Sequence, residues 1–335
     1  MRNDFAVLIL SHGRPNNIKT IKALENANYT GKYYIVIDNE DKTKDEYIKL
    51  YCDKFIIFDK QAISDNPKYD KFDNNNNKKV IFFARNASME IAKDLGLKYY
   101  IQFDDDYTRF EFRYEKDNVL KHDVKINNLD KVINLMINFL DKSKALSICM
   151  AQGGDFIGGA NSSVWKKGLP RKAMNSFLVN TDRLFKFYGR INEDVNTYTM
   201  LGNKGELFFT IADISLEQAR TQSNDGGMTD IYLDNGTYVK SFYSVICSPQ
   251  AVKIGKMGVS SMRMHHKINW KYCTPKILKG YQLRYIYFID KKMRKNLTVD
   301  EIPFSKIDEL GAGMYKGKKI EIKERHIDNY CIEAK

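Results

Sequence analysis

The stretch Tyr99-Tyr100-Ile101-Gln102-Phe103-Asp104-Asp105-Asp106 decides the fold. Its apolar and aromatic part reads as a buried strand, and three consecutive acids end it. Like charges at a strand end repel one another unless a cation or a basic group sits among them. Outward from this stretch, Phe5–Leu10, residues 33–37 and Phe55–Phe58 are similar short runs. Helical spacing fills the gaps. Ile18, Ile21 and Leu24 share one face, with Asn16 or Asn17 placed as a cap, and residues 84–95 read as a helix stopped by Gly96. Strands alternating with helices predict βαβ units and a parallel sheet, whose ligands bind beyond the carboxyl ends of the strands.

Two more strand ends carry polar groups, Ser11-His12-Gly13-Arg14-Pro15 and Asp38-Asn39-Glu40-Asp41. The first has one glycine where a dinucleotide fold needs GxGxxG, and no GxxxxGK[ST] loop occurs. A phosphorylated ligand therefore needs its charge held in another way. A divalent cation on the triple aspartate is the direct candidate, and a solvated acidic turn is the plain alternative. A calcium loop through Asp104, Asp106, Thr108 and Glu115 fails because Arg109 stands where the turn needs glycine.

The rest of the chain sets limits. Its 335 residues are 43% hydrophobic with only 6 Pro, a packed globular composition with room for one large or two ordinary domains. Five scattered cysteines suit neither a zinc ribbon nor a disulfide framework, and predict a reducing cytoplasm. The N-terminal apolar run is too short for a signal-peptide core or a membrane span. Residues 128–143 read as a helix with a core-facing stripe, and the glycine-rich loop after strand 145–150, which holds Asp155, reads as turn geometry or as a ligand contact. Residues 73–79 read as an exposed polar loop, and 224–227 as a turn. The net charge of +12 suits a polyanionic partner. Trp165-Lys166-Lys167, Arg171-Lys172 and Trp270-Lys271-Tyr272, with the basic runs 276–284 and 291–295, predict a surface that tracks a phosphate backbone or stacks on a base. Solvated helix faces are the alternative.

The order of these parts, with Ala84-Arg85-Asn86 on a helix leading into the aspartates, resembles the nucleotide-sugar half of a GT-A glycosyltransferase. In particular it resembles the TET/JBP-associated glycosyltransferases, a largely phage family that decorates hydroxymethylated pyrimidines in DNA. The resemblance is good over residues 5–110 and looser over 150–275. It implies an α/β, GT-A-like fold: a Rossmann-like, mostly parallel sheet flanked by helices, with acceptor-side and C-terminal additions. Residues 1–150 would be the nucleotide-sugar half, 151–275 the acceptor and catalytic half of the same domain, and 276–335 a basic C-terminal region.

The same resemblance implies residue roles. It places Mn²⁺ or Mg²⁺ on Asp104 and Asp106, with His265 or His266 completing the shell and Asp105 turned to the donor sugar or ribose. Asp38 matches the acid that contacts the nucleoside, Arg85 the basic residue near the base and phosphates, and Ser11 and Arg14 lie beside the nucleotide. Asn192-Glu193-Asp194 resembles the element that supplies the catalytic base, Asp194 before Glu193; a helix-capping pair is the alternative. The implied reaction moves a sugar, glucose from UDP-glucose first, to 5-hydroxymethylcytosine or 5-hydroxymethyluracil in duplex DNA. A surface-glycan or protein acceptor, a metal-dependent nuclease and a nucleic-acid-binding module are the other readings.

Overall fold

The structure is a computed structural model that describes residues 1–69, 80–167, 170–218, 229–257 and 263–273, with four short strands beyond. The tracts 73–79, 224–227, 279–284 and 291–295 lie outside the described residues. The chain divides into two compact units, Met1–Asp141 with Ala145–Thr274, and Lys142–Lys144 with Pro275–Lys335. The second unit contains two antiparallel strand pairs, Ile277–Leu278 with Tyr330–Cys331 and Ala312–Tyr315 with Lys318–Glu321.

The first unit is an α/β fold built on a nine-stranded sheet. Its strands are β1 (Phe5–Leu10), β2 (Lys32–Asp38), β3 (Phe55–Phe58), β4 (Tyr99–Asp104), β5 (Tyr107–Lys116), β6 (Val119–Lys125), β7 (Ser147–Gln152), β8 (Phe177–Asn180) and β9 (Phe208–Gln218). Their spatial order is β3-β2-β1-β4-β8-β7-β9-β5-β6. The parallel half predicted from the alternation is β3-β2-β1-β4. From β8 onward the sheet is mixed: β8 runs antiparallel to β4 and β7, while β7 and β9 are parallel.

Every residue of β1 is buried, as its unbroken apolar run requires of a strand covered on both faces. The register pairs Leu10 with both Val36 and Asp104, and Asp38 with Phe58. Three polar strand ends therefore share one edge of the sheet.

Helices α1 (Lys19–Asn26), α2 (Lys44–Tyr51), α3 (Lys60–Asp65), α4 (Phe82–Asp94) and α5 (Leu129–Ser143) belong to the first half of the chain. The predicted stripe of α5, Leu129, Val132, Ile133, Met136, Ile137 and Leu140, is buried, and Asn128 caps the helix by accepting from Lys131 N at 3.0 Å. Gly96 comes after α4 with φ of 65°, and its N–H donates to Lys93 O at 2.9 Å.

One expectation changes, and the calcium loop already excluded stays excluded. Neither Asn16 nor Asn17 caps α1, whose N-cap position is Ile18; instead Thr20 N donates to Asp105 O at 3.3 Å, so the aspartate turn itself closes the helix end. The calcium loop is absent because residues 107–116 form β5, paired with β9 and β6.

The remaining elements are α6 (Ser163–Lys167), α7 (Glu193–Asn203), α8 (Thr229–Cys247), the hairpin β10 (Val252–Met257) with β11 (Arg263–Ile268), and α9 (Trp270–Cys273). Helix α7 is backed by the later ones. Gly202 lies so close to α9 that a Cβ there would overlap the Cys273 carbonyl oxygen. Trp270 stacks on Tyr198 with ring centroids 5.7 Å apart, and Ser248 Oγ donates to Thr199 Oγ1 at 3.0 Å. No helix among the described residues is long and apolar enough to cross a membrane.

Candidate functional site

The turn between β4 and β5 is held from below by one hydroxyl. Thr20 Oγ1 donates to Asp104 O at 2.6 Å and accepts from Tyr107 N at 3.0 Å. With the backbone pinned, the three carboxylates go to three sets of partners. Asp105 is buried and accepts from Ser11 Oγ at 2.7 Å and Arg14 Nη1 at 3.0 Å. Ser11 Oγ also lies 2.8 Å from Tyr47 Oη, which accepts from Arg14 N at 3.0 Å. Asp106 accepts from Gln218 Nε2 at 3.0 Å, and Asp104 from Arg85 Nη2 at 3.2 Å.

Negative charge exceeds positive charge at this turn. Burial pushes the Asp104 carboxyl up to about 7; Arg85 opposes the shift, and Asp106, Asp105 and Glu193 add to it. Burial also raises Asp105 and Asp106, despite Arg14 beside the first and Gln218 beside the second. Such an oxygen-only set, short of cations, fits a hard divalent ion such as Mn²⁺ or Mg²⁺. The three-residue donor cluster found among the described residues is a different one, Glu111, His122 and Glu217 on β5, β6 and β9. Its carboxylates already meet arginines, Arg109 on Glu111 at 2.5 Å and Arg113 on Glu217 at 2.7 Å.

Arg85 lies beneath the aspartates. It is fully buried on α4, with its guanidinium carbon 5.1 Å from the centre of the Phe177 ring and 5.9 Å from that of Phe187. Its Nε donates to Glu193 Oε1 at 2.9 Å while Nη2 holds Asp104. Burial works against its charge, but Asp104 and Glu193 outweigh burial and raise its pKa. The residue read as a contact to base and phosphates thus joins the aspartate turn to the Glu193-Asp194 pair. Asn86, one residue on, fixes the segment before α7 by accepting from Phe187 N at 3.0 Å.

Glu193 and Asp194 open α7 after Asn192, which adopts a left-handed φ of 60°. Asn192 Nδ2 donates to Ser244 Oγ at 2.5 Å and lies 3.3 Å from His266 Nδ1. Glu193 is committed to Arg85, and burial raises its pKa although Arg85 opposes the shift. Asp194 uses Oδ1 to accept from its neighbour Val195 N at 2.7 Å, which leaves Oδ2 without a hydrogen bond among the described residues. His266 is pushed down to about 3 by burial, then by His265, Lys240 and Lys172, so it is a neutral imidazole. The His265 and His266 rings lie 4.2 Å apart on β11.

At the second strand end, Asp38 is buried between His12 Nδ1 at 2.7 Å and Lys60 Nζ at 3.0 Å. Donating to the Asp38 carboxylate raises the His12 pKa. Asp41 accepts from Gly13 N at 2.8 Å, closing the first strand-end loop onto the second. Asp155 pairs with Lys172 and accepts from Gln152 N at 3.0 Å. Lys166 lines a small cleft with Glu115 and Trp165, whereas Trp270 and Lys271 belong to a separate groove on α9 and the hairpin. Arg171 is half-buried, and the Lys167 side chain lies outside the described residues.

Lys60, Gln218 and Ser244, which hold Asp38, Asp106 and Asn192, escaped the sequence reading. Only Lys60 had a local signal, since Asp59 caps α3 directly after β3. A search of curated proteins finds no match. The family model described as TET-Associated Glycosyltransferase matches residues 5–227, a span that contains all three strand ends, Arg85 and the Glu193-Asp194 pair. That match covers about two thirds of the chain, and the protein belongs to the TET-associated glycosyltransferase family.

Proposed function

We propose that this glycosyltransferase moves a sugar, glucose from UDP-glucose first, onto a hydroxymethylated pyrimidine of duplex DNA, with Mn²⁺ or Mg²⁺ at Asp104 and Asp106. The observation that carries this reading is the shared Arg85, whose guanidinium pairs with Asp104 of the aspartate turn and with Glu193, the neighbour of Asp194. When bound, the metal ion would neutralise the diphosphate that leaves the sugar. The protein does the rest. Asp38 with its partners His12 and Lys60 faces the nucleoside, and Arg14 adds positive charge beside the phosphates. Asp194 takes the proton from the attacking hydroxyl through its free Oδ2 as the new glycosidic bond forms and the sugar–phosphate bond breaks. Neutral His266, held against Asn192 beside the proposed base, would complete the shell of the metal ion.

The test is incubation with UDP-glucose and Mn²⁺ and duplexes carrying 5-hydroxymethylcytosine, 5-hydroxymethyluracil or neither. Gain of a hexose by a modified duplex alone supports the reading. Donor cleavage with no modified duplex gaining mass refutes the DNA acceptor and favours a glycan or protein.

A further inference from the structure

Between Asp234 and Asp290 the chain has no acid and nine Lys or Arg residues, so much of the +12 excess sits in one segment. The described part of that segment folds into α8, the β10–β11 hairpin and α9, all beyond the span matched by the family model. The hairpin and α9 border an open groove of about 880 Å³ lined by Gln250, Lys253, Lys267, Asn269, Lys271 and Tyr272, among others.

Lys253 and Lys267 are direct cross-strand partners, and both are exposed. Like charges opposite one another destabilise a hairpin unless an anion lies between them. No ion pair to either, or to Lys271, occurs among the described residues. Gly255 gives Lys267 room, for a Cβ there would come within 2.6 Å of its Cδ and Cε. Tyr272 is half-exposed, and Trp270 ties the groove to Tyr198 on the helix that begins with Glu193 and Asp194.

We infer that this groove grips the sugar-phosphate backbone of duplex DNA, with Lys253, Lys267 and Lys271 on phosphates. Ammonium groups with an amide pair and an aromatic rim, and no acid, match a polyphosphate strand and repel a cationic surface. The inference rests on the DNA acceptor proposed above, and adds where the duplex is held.

The experiment is a titration of a labelled unmodified duplex, without donor or metal, over a range of salt. The variant Lys253→Gln/Lys267→Gln/Lys271→Gln should bind about tenfold or more weakly, and its log K against log salt should be shallower by about 3, near 0.9 per phosphate contact. A control neutralised at Lys22, Lys44 and Lys49, exposed on α1 and α2, should bind as the wild type. Unchanged melting temperatures show that both variants are folded. Equal binding by groove variant and wild type, or an equal loss in the control, overturns the inference. So does retention on phosphatidylglycerol vesicles with no affinity for the duplex. A wild type that binds duplex through the groove but glucosylates no modified DNA refutes the acceptor and leaves the groove standing. Modified DNA glucosylated equally well by wild type and groove variant does the reverse.

Discussion

A guanidinium packed against Phe177 and Phe187 keeps its charge because Asp104 and Glu193 face it. Removing it leaves buried Glu193 and partly buried Asp104 unpaired. Arg85→Met should destabilise the fold by about 3–5 kcal/mol in urea titrations. Arg85→Lys should recover part of that stability and little activity, because one ammonium lacks the fork that holds two carboxylates. The adjacent acids separate by role. Asp194→Asn should lower kcat by about 10²–10⁴-fold with little change in melting temperature, as expected for a lost general base. Glu193→Gln should lower the melting temperature as well, since it unpairs Arg85. Asp104 adds a pH signature. Its pKa rises from 3.8 to about 7 on folding, so its stabilising contribution is full below about pH 4 and is lost as pH rises through 7. Thermal melts in EDTA should show wild type losing stability relative to Asp104→Asn over that interval. Mn²⁺ should restore the wild type and leave the variant unmoved.

At the scale of elements, α1, β4 and β5 meet at Thr20. Thr20→Val keeps the shape and removes the hydroxyl that serves Asp104 O and Tyr107 N, so chemical denaturation should register a loss of about 1–3 kcal/mol. The same junction shows what a sequence reveals. Local pattern was enough for β1, for α5 with its buried stripe, and for the stop of α4 at Gly96, since each depends on neighbours a few residues away. The cap of α1 comes from Asp105 and the anchor of Asp106 from Gln218, partners that only the finished sheet brings near. Strand β8 has four residues, too few to show a period, and its antiparallel insertion is what makes the sheet mixed. The aspartates and the Glu193-Asp194 pair were legible as residues. That one arginine holds both was not, because 108 positions separate it from Glu193.

Across the whole molecule, the span matched by the family ends at residue 227, but α7 leans on side chains and backbone beyond it. Ser244 holds Asn192, Ser248 meets Thr199, Trp270 stacks on Tyr198, and Cys273 closes over Gly202. A chain cut after residue 227 keeps every acid of the proposed site. It should nevertheless melt at a lower temperature than the full chain and transfer no sugar, with circular dichroism and a donor-cleavage assay as the readouts. The wall behind the proposed base thus lies outside the shared span, while the aspartate turn and Arg85 lie inside it. On the proposed assignment of the acceptor side to residues 244–273, a lineage redirects the transfer to a new recipient by rewriting that stretch, while the aspartate turn and Arg85 stay as inherited.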